Sequence, residues 1–583
     1  MIPFRTSRPS SPAPFASAAS RLLAPSLLLL LFSTYAPSAQ AEEPQVPKDF
    51  ARLVLDTGRP AFRPAEPDVV RFQIHGEYQL RGTSMRSFPL DPSTQVINDR
   101  AANGRVTEDS LGQNRFMSHW LRITPRLQLK DRIEIVGQLD VVTGPFLGDL
   151  AHDSFADQTP RDSYDGIKNI QPRWLYASID TGIGILRVGQ QPSHWGMGIL
   201  ANDGDHASTF GDYRYGSIDE RILFATKPGG KESPVTVLVA GDLVYRDANA
   251  RLTRGDHAFQ GVIGALYAHG DNQVGVYGVY RHQENDKTSG SSFFPYTDSI
   301  DAGVLDVTGK FVVPVAGQDA FAFGGFEAAA IFGSTNAVRT AEQLQNGTKT
   351  TLRSYGGAIQ VGIVHRGYDE PVTVAAPGTP AAQPSPKSAY GDLVAQIELG
   401  YASGDADPYD GTERRFVFDP NHKVGLLLFD EVMRWQTARA ASAAQDPLLQ
   451  NGTRPTPGVD LLPTNGGIAG AQYVNPTMIY RPMRWLDVKG GMLLAQATAD
   501  VVDPYRLATQ GSATNYRGGD ARRHDLGLEL DAGMEARFPL DFGVVATLGF
   551  QTGVLFPGAA LANAEGERMK LPWIWIGRGG LLF

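Results

Sequence analysis

The amino-acid sequence predicts an all-β fold, a transmembrane antiparallel β-barrel of about 18 strands (16–18). Three observations support this. Segments of roughly ten to fourteen residues alternate between apolar and polar side chains, which is the pattern of strands with two different faces. The connections between these segments alternate between short and long, and the sequence finishes on an apolar, aromatic segment. Short turns on one side and long loops on the other are typical of outer-membrane barrels.

The first residues predict export from the cytoplasm. Arg5, Arg8 and Arg21 precede an apolar run at 22–32, and small residues around Ala41 offer a cleavage point. This pattern is a secretory signal in form, and its apolar run is far shorter than the roughly 20 residues that a spanning helix needs. We therefore expect a cleaved signal peptide at 1–41 and a periplasmic lead at 42–69.

The first predicted strand has the clearest two-faced pattern. Its apolar residues alternate with polar or charged ones; the polar face carries Arg71, Gln73, His75, Glu77, Gln79 and Arg81, and the apolar face carries Val70, Phe72, Ile74, Tyr78 and Leu80. Successive side chains of a strand point to opposite sides of the sheet. A hairpin with the same alternation follows, with its turn at 130–132. One wall of the predicted barrel therefore faces lipid and the other faces water.

The connections sort by length along the chain. Long polar stretches fall near 143–169, 192–216, 247–257, 283–299, 334–352, 403–470, 500–522 and 557–570. Short ones fall near 130–132, 180–183, 228–233, 269–273, 314–319, 483–485 and 539–541, with a Pro/Ala-rich insert at 366–388 on the same side. A barrel over 70–583 that begins in the periplasm puts every long connection outside, with 403–470 as the largest outer loop.

The last predicted strand, Leu571–Phe583, is expected to close the barrel by pairing with Val70–Arg81. Its final Phe resembles the assembly signal of bacterial outer-membrane barrels. An open sheet edge is not tolerated in lipid, so the two edge strands must meet. Gly577, Gly579 and Gly580 leave this seam thin, with Arg578 as its one inward charge. We expect the barrel to be weakest there.

Composition excludes several classes of protein. The chain has no cysteine, which excludes a disulfide framework, Cys-ligated zinc and thiol catalysis. The net charge of −9 makes nucleic acid an unfavourable partner. Hydrolase and metalloprotease motifs are absent from the sequence. We expect no enzyme activity and no cofactor, and we expect outer-membrane lipid as the partner of the apolar face; the sequence does not determine the oligomeric state.

The charged residues of the strands are expected to line the lumen, because Lys or Arg at the bilayer midplane costs roughly 2–4 kcal/mol. The candidate anion path is Arg71, Arg81, Arg122, Arg126, Arg173, Arg187 and Arg281. An acidic sector on later strands is Glu398, Glu529, Asp531 and Glu535. A ring of arginines favours anions, whereas mixed charges would simply keep a wide lumen wet. Both interpretations remain open.

One outer connection raises the question of a metal or a constriction. Asp203, Asp205 and His206 lie close together in the stretch Asn202–Gly211 and could bind a metal or fold into the pore. A solvated loop is the expectation, with no metal site. Loop 403–470 is predicted to be the only insert large enough to occlude much of the lumen.

Two short patches resemble the alginate-export-like family and related substrate-selective porins. The first contains Leu186-Arg-Val-Gly-Gln-Gln191, similar to that family's Leu-Arg-Val-Gly-Arg-Gln strand, with Gln190 where Arg is usual. The second is Tyr401-Ala-Ser-Gly-Asp405 followed by Phe418-Asp-Pro420. The resemblance implies an 18-stranded barrel that passes anionic or otherwise selected solutes by diffusion.

The sequence therefore predicts a channel in the bacterial outer membrane. We expect passive diffusion of small hydrophilic or anionic solutes, or export of an anionic polysaccharide, without chemistry. The alternative is a plugged barrel that acts as a surface receptor or adhesin through loops 87–113 and 403–470. Ion conductance would separate these interpretations, because a plugged barrel does not conduct.

Overall fold

The computed structural model describes residues 68–87, 115–148, 170–206, 208–212, 216–230, 232–289, 296–316, 320–336, 343, 346–365, 367, 391–407, 410–445 and 463–583. The predicted signal peptide at 1–41 lies outside the described residues. So do most of the lead at 42–69, the outer loop 87–113 and the insert at 366–388.

The described residues form nineteen strands. They are β1 Val70–Arg86, β2 Arg115–Leu129, β3 Ile133–Gly148, β4 Gln171–Asp180, β5 Ile185–Pro192, β6 Ile218–Thr226, β7 Val235–Arg246, β8 Asp256–His269, β9 Asn272–Ser289, β10 Tyr296–Ala316, β11 Ala320–Thr335, β12 Thr350–His365, β13 Leu393–Ala402, β14 Thr412–Glu413, β15 Ala471–Met483, β16 Leu486–Ala497, β17 Asp525–Pro539, β18 Val545–Pro557 and β19 Trp573–Leu582.

Eighteen of these strands make one closed barrel. Each pairs antiparallel with the next along the chain, β13 passes directly to β15, and β19 pairs with β1 to complete the ring. The two-residue strand β14 runs parallel to the outer end of β12 and does not belong to the wall. Closure leaves no free edge, so every strand finds its backbone partners within the wall. The predicted fold class and strand number are confirmed.

The two faces of the wall differ as predicted. Outward side chains are apolar and exposed, as with Phe72 on β1, Leu175 on β4 and Ile263 on β8. Inward positions hold charged residues that are buried, such as Asp140 and Glu327. A sheet with an apolar outside and a polar inside is stable when lipid surrounds it. The chain is therefore a transmembrane β-barrel.

The closing seam joins β1 to β19 in the register Leu80 to Gly579, Arg81 to Arg578 and Gly82 to Gly577. Beyond β19, Phe583 continues the ladder: its N–H donates to the Gly76 carbonyl at 3.0 Å, and the Gly76 N–H donates back at 2.7 Å. The Phe583 ring lies over Gly76, where any Cβ would collide with it. The missing side chain at Gly76 thus makes the space for the last aromatic ring.

Replacing Gly76 by Val is expected to lower the free energy of unfolding by about 1–3 kcal/mol, the usual cost of overpacking. Valine favours strands, so the loss would come from the collision with Phe583. The matched control is Gly82→Val, also on β1, where a Cβ meets no atom within 4 Å. Urea unfolding of refolded protein in micelles would measure both variants. Equal stability of the two variants would contradict the packing of Phe583 on Gly76.

The connections follow the predicted parity with one marked difference. The predicted long connection at 283–299 is mostly strand, because β9 continues to Ser289 and β10 begins at Tyr296. The polar stretch contains Thr, Ser, Phe and Tyr, and Thr and aromatic residues are common in strands. A hairpin that stands above the membrane has water on both faces, so it needs no apolar alternation.

Among the described residues the helices are few, and all except the 3₁₀ turn at Asp541–Gly543, in the short connection between β17 and β18, belong to the outer connections. They are α1 Arg434–Gln445 and α2 Pro504–Gln510, with a π-helical turn at Leu428–Met433 and short 3₁₀ turns at Leu252–Arg254, Asp541–Gly543 and Ala559–Leu561. Among the described residues, none of the helices has the length and apolarity to cross a membrane. The largest buried apolar cluster contains residues of loop 403–470, among them Phe416, Phe418, Leu426, Leu427 and Leu428. The described residues of this loop therefore pack inside the barrel.

Candidate functional site in the lumen

Loop 193–217, between β5 and β6, begins with a tight turn at Trp195–Gly198. The Gly198 N–H donates to the Trp195 carbonyl at 2.9 Å, and Asn202 Nδ2 donates to the Gly198 carbonyl at 3.2 Å. Gly196 and Gly198 have φ of 58° and 75°, a left-handed backbone that glycine adopts without strain. The two glycines let the chain reverse direction inside the lumen.

This turn is attached to the wall formed by β9, β10 and β11. Trp195 stacks on Tyr277 with ring centroids 5.1 Å apart, and its Nε1 donates to Asp306 Oδ1 at 3.1 Å. The Glu327 carboxylate accepts the N–H groups of Met197 and Ile199. Buried polar groups need hydrogen-bond partners. These contacts hold the turn against strands that are distant from β5 and β6, the strands that the loop connects.

The second half of the loop is attached to the closing seam. The Gly211 N–H donates to Gln551 Oε1 at 3.3 Å, and Arg578 Nη2 donates to the Gly211 carbonyl at 3.2 Å. Asp212 forms ion pairs with Arg578, at 2.7 Å, and with Arg81. Loop 193–217 therefore crosses the lumen from β9–β11 to β18, β19 and β1. The expectation of a solvated loop here is wrong, because wall groups satisfy its backbone and its charges.

Loop 403–470 also enters the lumen, and it rests on the acidic strands. Glu529 on β17 is fully buried and accepts the N–H groups of Leu426, Leu427 and Leu428 at 2.6, 2.7 and 2.7 Å. Three consecutive amides aimed at one carboxylate form an anion-binding concavity. The first N–H groups of a helix have no acceptor within the helix. The Glu529 carboxylate on the wall accepts the hydrogen bonds of these N–H groups.

A second contact links this loop to β13 and β15 and to the other loop. His422 Nε2 lies 2.9 Å from Glu398 Oε1, which also accepts from the Tyr473 hydroxyl at 2.6 Å. The Asp419 N–H donates to the Ile199 carbonyl at 2.7 Å. The two loops therefore touch and together narrow the lumen. The expectation that 403–470 is the only insert large enough to occlude much of the lumen is wrong, because loop 193–217 also crosses it.

Burial changes the ionisation of groups on these loops. Burial raises the pKa of the Asp419 carboxyl to about 7, although the backbone and side-chain hydrogen bonds from Asn421 oppose the shift. Burial alone would raise the pKa of Asp203 as well, but the hydrogen bond from His206 and the nearby imidazoles lower it overall. Asp203 is therefore a carboxylate at neutral pH.

Three of the predicted arginines contact loop 193–217. Arg122 is 3% exposed and forms ion pairs with Asp140 at 2.8 Å and with Asp205 at 3.1 Å. Arg173 donates to the Asp203 carbonyl at 2.6 Å, and Arg81 pairs with Asp212 as described above. These side chains hold the loop in place, and carboxylates neutralise much of their charge.

The other four arginines lie elsewhere on the wall. Arg126 pairs with Glu134 at 3.0 Å and remains partly exposed. Arg187 is exposed, lies 5.8 Å from the centre of the Tyr176 ring and donates to the Ser178 hydroxyl at 3.4 Å. The remaining two are Arg71, near the inner end of β1 between exposed Val70 and Phe72, and Arg281, which pairs with Asp247 at 2.5 Å.

The four acidic candidates are all partly or fully buried. Glu398 and Glu529 contact loop 403–470 as described, and Asp531 is a buried neighbour of Glu529. Glu535 lies nearer the inner end of β17, 3.3 Å from Lys489 Nζ and 3.0 Å from Arg537 Nη2. Glu398 on β13 lies nearly opposite β1–β5 around the ring, whereas Glu529, Asp531 and Glu535 on β17 lie three strands from β1.

A cavity of about 450 Å³ lies between the two loops and the wall. Residues from β1, β2, β8–β10, β12, β13 and β15–β19 line it together with both loops. Its charges are mixed: they are Lys310, Lys423, Lys489 and Arg578 with Glu77, Asp212, Glu398 and Glu535. A cavity of this volume with polar walls suits a small hydrophilic solute.

Several of these residues escaped prediction from the sequence. Glu327 is the only charge in the run Gly324–Ile331, and Asp306 interrupts the apolar stretch Val304–Val307. A lone acid on the inner face of a strand is a usable signal for a contact within the lumen. Nothing in the sequence indicates which loop supplies the partner, because those contacts join residues more than 100 positions apart.

Comparisons with solved structures find chains of similar fold at low sequence identity. The chain is similar to OccAB1 of Acinetobacter baumannii, with a TM-score of 0.45, 9% identity and coverage of 89% of this chain and 98% of that one. It is similar to OccK2 (OpdF) of Pseudomonas aeruginosa, with a TM-score of 0.43, 7% identity and coverage of 89% and 98%. No protein-family model matches the sequence, and the search of curated proteins gives no match.

Proposed function

We propose that the chain is a channel of the bacterial outer membrane that lets small hydrophilic solutes diffuse passively, without chemistry. The observation that carries the proposal is the water-accessible cavity of about 450 Å³ at the centre of a closed barrel with an apolar outside. Barrels of this strand number leave an aqueous channel unless something fills them. Here two loops narrow the channel, so the solutes would be small.

We further propose that anions are favoured along the basic wall. Arg71, Arg81, Arg122, Arg126, Arg173 and Arg187 lie on β1–β5, and Arg281 lies on β9. The acidic sector of Glu398, Glu529, Asp531 and Glu535 lies on β13 and β17. Separate basic and acidic sectors of the wall produce a field in the lumen. Of the arginines on β1–β5 that pair with other wall residues, Arg126 and Arg187 are the most solvent-accessible. They are therefore best placed to meet a solute.

The test of the channel is ion conductance across planar bilayers. Refolded full-length protein is expected to give discrete current steps. A variant in which a short Gly/Ser linker replaces 403–470 is expected to give larger steps. Silence of both the parent and the loop deletion, with correct folding of each, would overturn the proposal.

Replacing Arg126 and Arg187 together by Gln is expected to shift the reversal potential in a salt gradient toward cation selectivity. The reason is the loss of two positive charges from the solvated part of the wall. The matched control is Arg522→Gln, which removes an exposed charge from an outer connection. An unchanged reversal potential in the double variant would contradict anion guidance by this wall.

A plugged receptor or adhesin is the second candidate. The observation that favours it is the extensive packing of both loops inside the barrel, with Phe416, Phe418 and Leu427 almost completely buried. Export of an anionic polysaccharide, the other expectation from the sequence, would require both loops to leave the lumen. Conductance of the parent protein supports diffusion of small solutes over both of these alternatives.

A further inference from the structure

Two histidines and one aspartate of loop 193–217 converge at one point of the lumen. Among the described residues, His194, Asp203 and His206 are the group whose potential ligand atoms all lie within 4.8 Å of one another. His206 Nδ1 is 2.9 Å from Asp203 Oδ1, and His194 Nδ1 is 3.9 Å from the same oxygen. The two imidazole rings are stacked, with centroids 4.0 Å apart and planes inclined by 22°.

The backbone around these residues is held by contacts outside the cluster. Arg173 donates to the Asp203 carbonyl at 2.6 Å, and the Ser217 N–H donates to the Asn202 carbonyl at 2.6 Å. On the other branch, the Ser193 N–H donates to the Ser217 carbonyl at 2.9 Å. The loop fold therefore brings His194 to Asp203 and His206, since His194 is nine positions before Asp203 in the sequence.

Access to the group is from the cavity. His194 and His206 both line it, whereas Asp203 lies behind them and is 6% exposed. A buried carboxylate with two imidazoles on its solvent side leaves the position toward the lumen available for water or another ligand. Three protein ligands with one open position are a common arrangement for transition metals.

We propose that His194, Asp203 and His206 bind a divalent transition-metal ion, with zinc the ion that best fits the ligands. Imidazole nitrogen suits zinc, copper and nickel, whereas calcium and magnesium prefer oxygen ligands throughout. With bonds of about 2.1 Å, a tetrahedral zinc ion holds its ligand atoms roughly 3.4 Å apart. The ligand atoms, all within 4.8 Å of one another, would reach this spacing by rotation of the side chains, and the anionic Asp203 offsets part of the ion's charge.

The ion would connect the two branches of loop 193–217. His194 begins the branch that reaches β9–β11, and Asp203 and His206 begin the branch that reaches the closing seam. A metal bond between the branches would stiffen the segment that narrows the lumen. The predicted site therefore gives the channel a response to zinc in addition to solute passage.

Calorimetric titration of zinc into the refolded full-length protein in micelles tests the site. We expect one ion per chain, and about tenfold or more weaker binding in each of His194→Ala and His206→Ala, since even a lost outer-shell partner costs 10–100-fold in affinity. The matched control is His524→Ala, which removes the histidine of an exposed His–Asp pair, His524–Asp500 at 3.0 Å. This variant is expected to bind zinc as the parent does.

Asp203→Asn supplies a third variant that keeps the volume of the side chain while removing its charge, should an alanine variant fail to refold. Calcium is expected not to bind, since two of the three ligands are nitrogen. Absence of saturable zinc binding by the parent would overturn the site, as would unchanged affinity in the folded variants or equal affinity for calcium. Because calorimetry requires no ion current, its outcome is separate from that of the conductance test.

Discussion

Glu529→Gln is expected to release loop 403–470 from the wall and to raise the conductance of the channel severalfold. The glutamine keeps the shape of the side chain and one acceptor oxygen, but it places an NH₂ group where Glu529 Oε2 accepts the Leu428 N–H at 2.7 Å. Hydrogen bonds to charged groups contribute about 1.5–3 kcal/mol each, and leaving a buried donor unsatisfied costs about 1–3 kcal/mol. We expect docking of the loop to weaken by about 3–5 kcal/mol.

Two measurements check this result. Single-channel recording measures the conductance of the lumen. Trypsin digestion measures how accessible the loop is to the protease, which can cleave after Lys423 and Arg434. The control is Glu134→Gln, another inward carboxylate, which pairs with Arg126 and contacts neither loop in the described structure. Conductance and digestion like those of the parent in Glu529→Gln would contradict a role of this carboxylate in holding the loop.

Asp212→Asn is expected to weaken the closing seam by about 3–5 kcal/mol, the cost of removing one partner of a buried ion pair. Arg81 and Arg578 face each other directly across the seam, and like charges opposite one another destabilise a sheet. Asp212 binds both guanidinium groups, with all three side chains no more than 15% exposed. Without its charge, the repulsion acts on the strands that close the barrel.

Urea unfolding of the refolded protein measures this loss. The control is Asp247→Asn. Asp247 pairs with Arg281 at the same degree of exposure, and the residues opposite Arg281 on the neighbouring strands are Ala302 and Gln260. We expect a smaller loss there, because no arginine faces Arg281 across these two pairings. Adding Arg578→Gln to Asp212→Asn removes the repulsion and is expected to restore most of the stability. Failure of the double variant to recover would contradict repulsion across the seam as the cause.

At the closing seam, some features can be predicted from the sequence and one cannot. The pairing of the last strand with the first, the thin stretch of glycines and the inward charge of Arg578 all follow from alternation and from the intolerance of lipid for open edges. The residue that stabilises Arg578, Asp212, does not follow from the sequence. Asp212 lies in an outer connection more than 300 positions before Arg578, and neither residue type nor spacing links the two.

In the acidic sector, the sequence predicts which way Glu529 points but not what it binds. Alternation predicts that Glu529 faces the lumen, because its neighbours Leu528 and Leu530 belong to the opposite face. Its task in the structure is to bind the backbone of loop 403–470. Backbone N–H groups are present at every residue, so their convergence on one carboxylate leaves no mark in the sequence. The proposed metal ligands His194 and His206 likewise meet only because the loop turns back at two glycines.

The sequence by itself determined the barrel, its strand number, the parity of its connections and the division into an apolar and a polar face. These features depend on local alternation and on a solvent, lipid, that imposes one strict rule on every strand. Only the tertiary structure decided that two loops narrow the lumen, which wall charges hold them and where the cavity remains. Those outcomes depend on contacts between distant residues, and their free energies come from burial and pairing that exist only once the ring has closed.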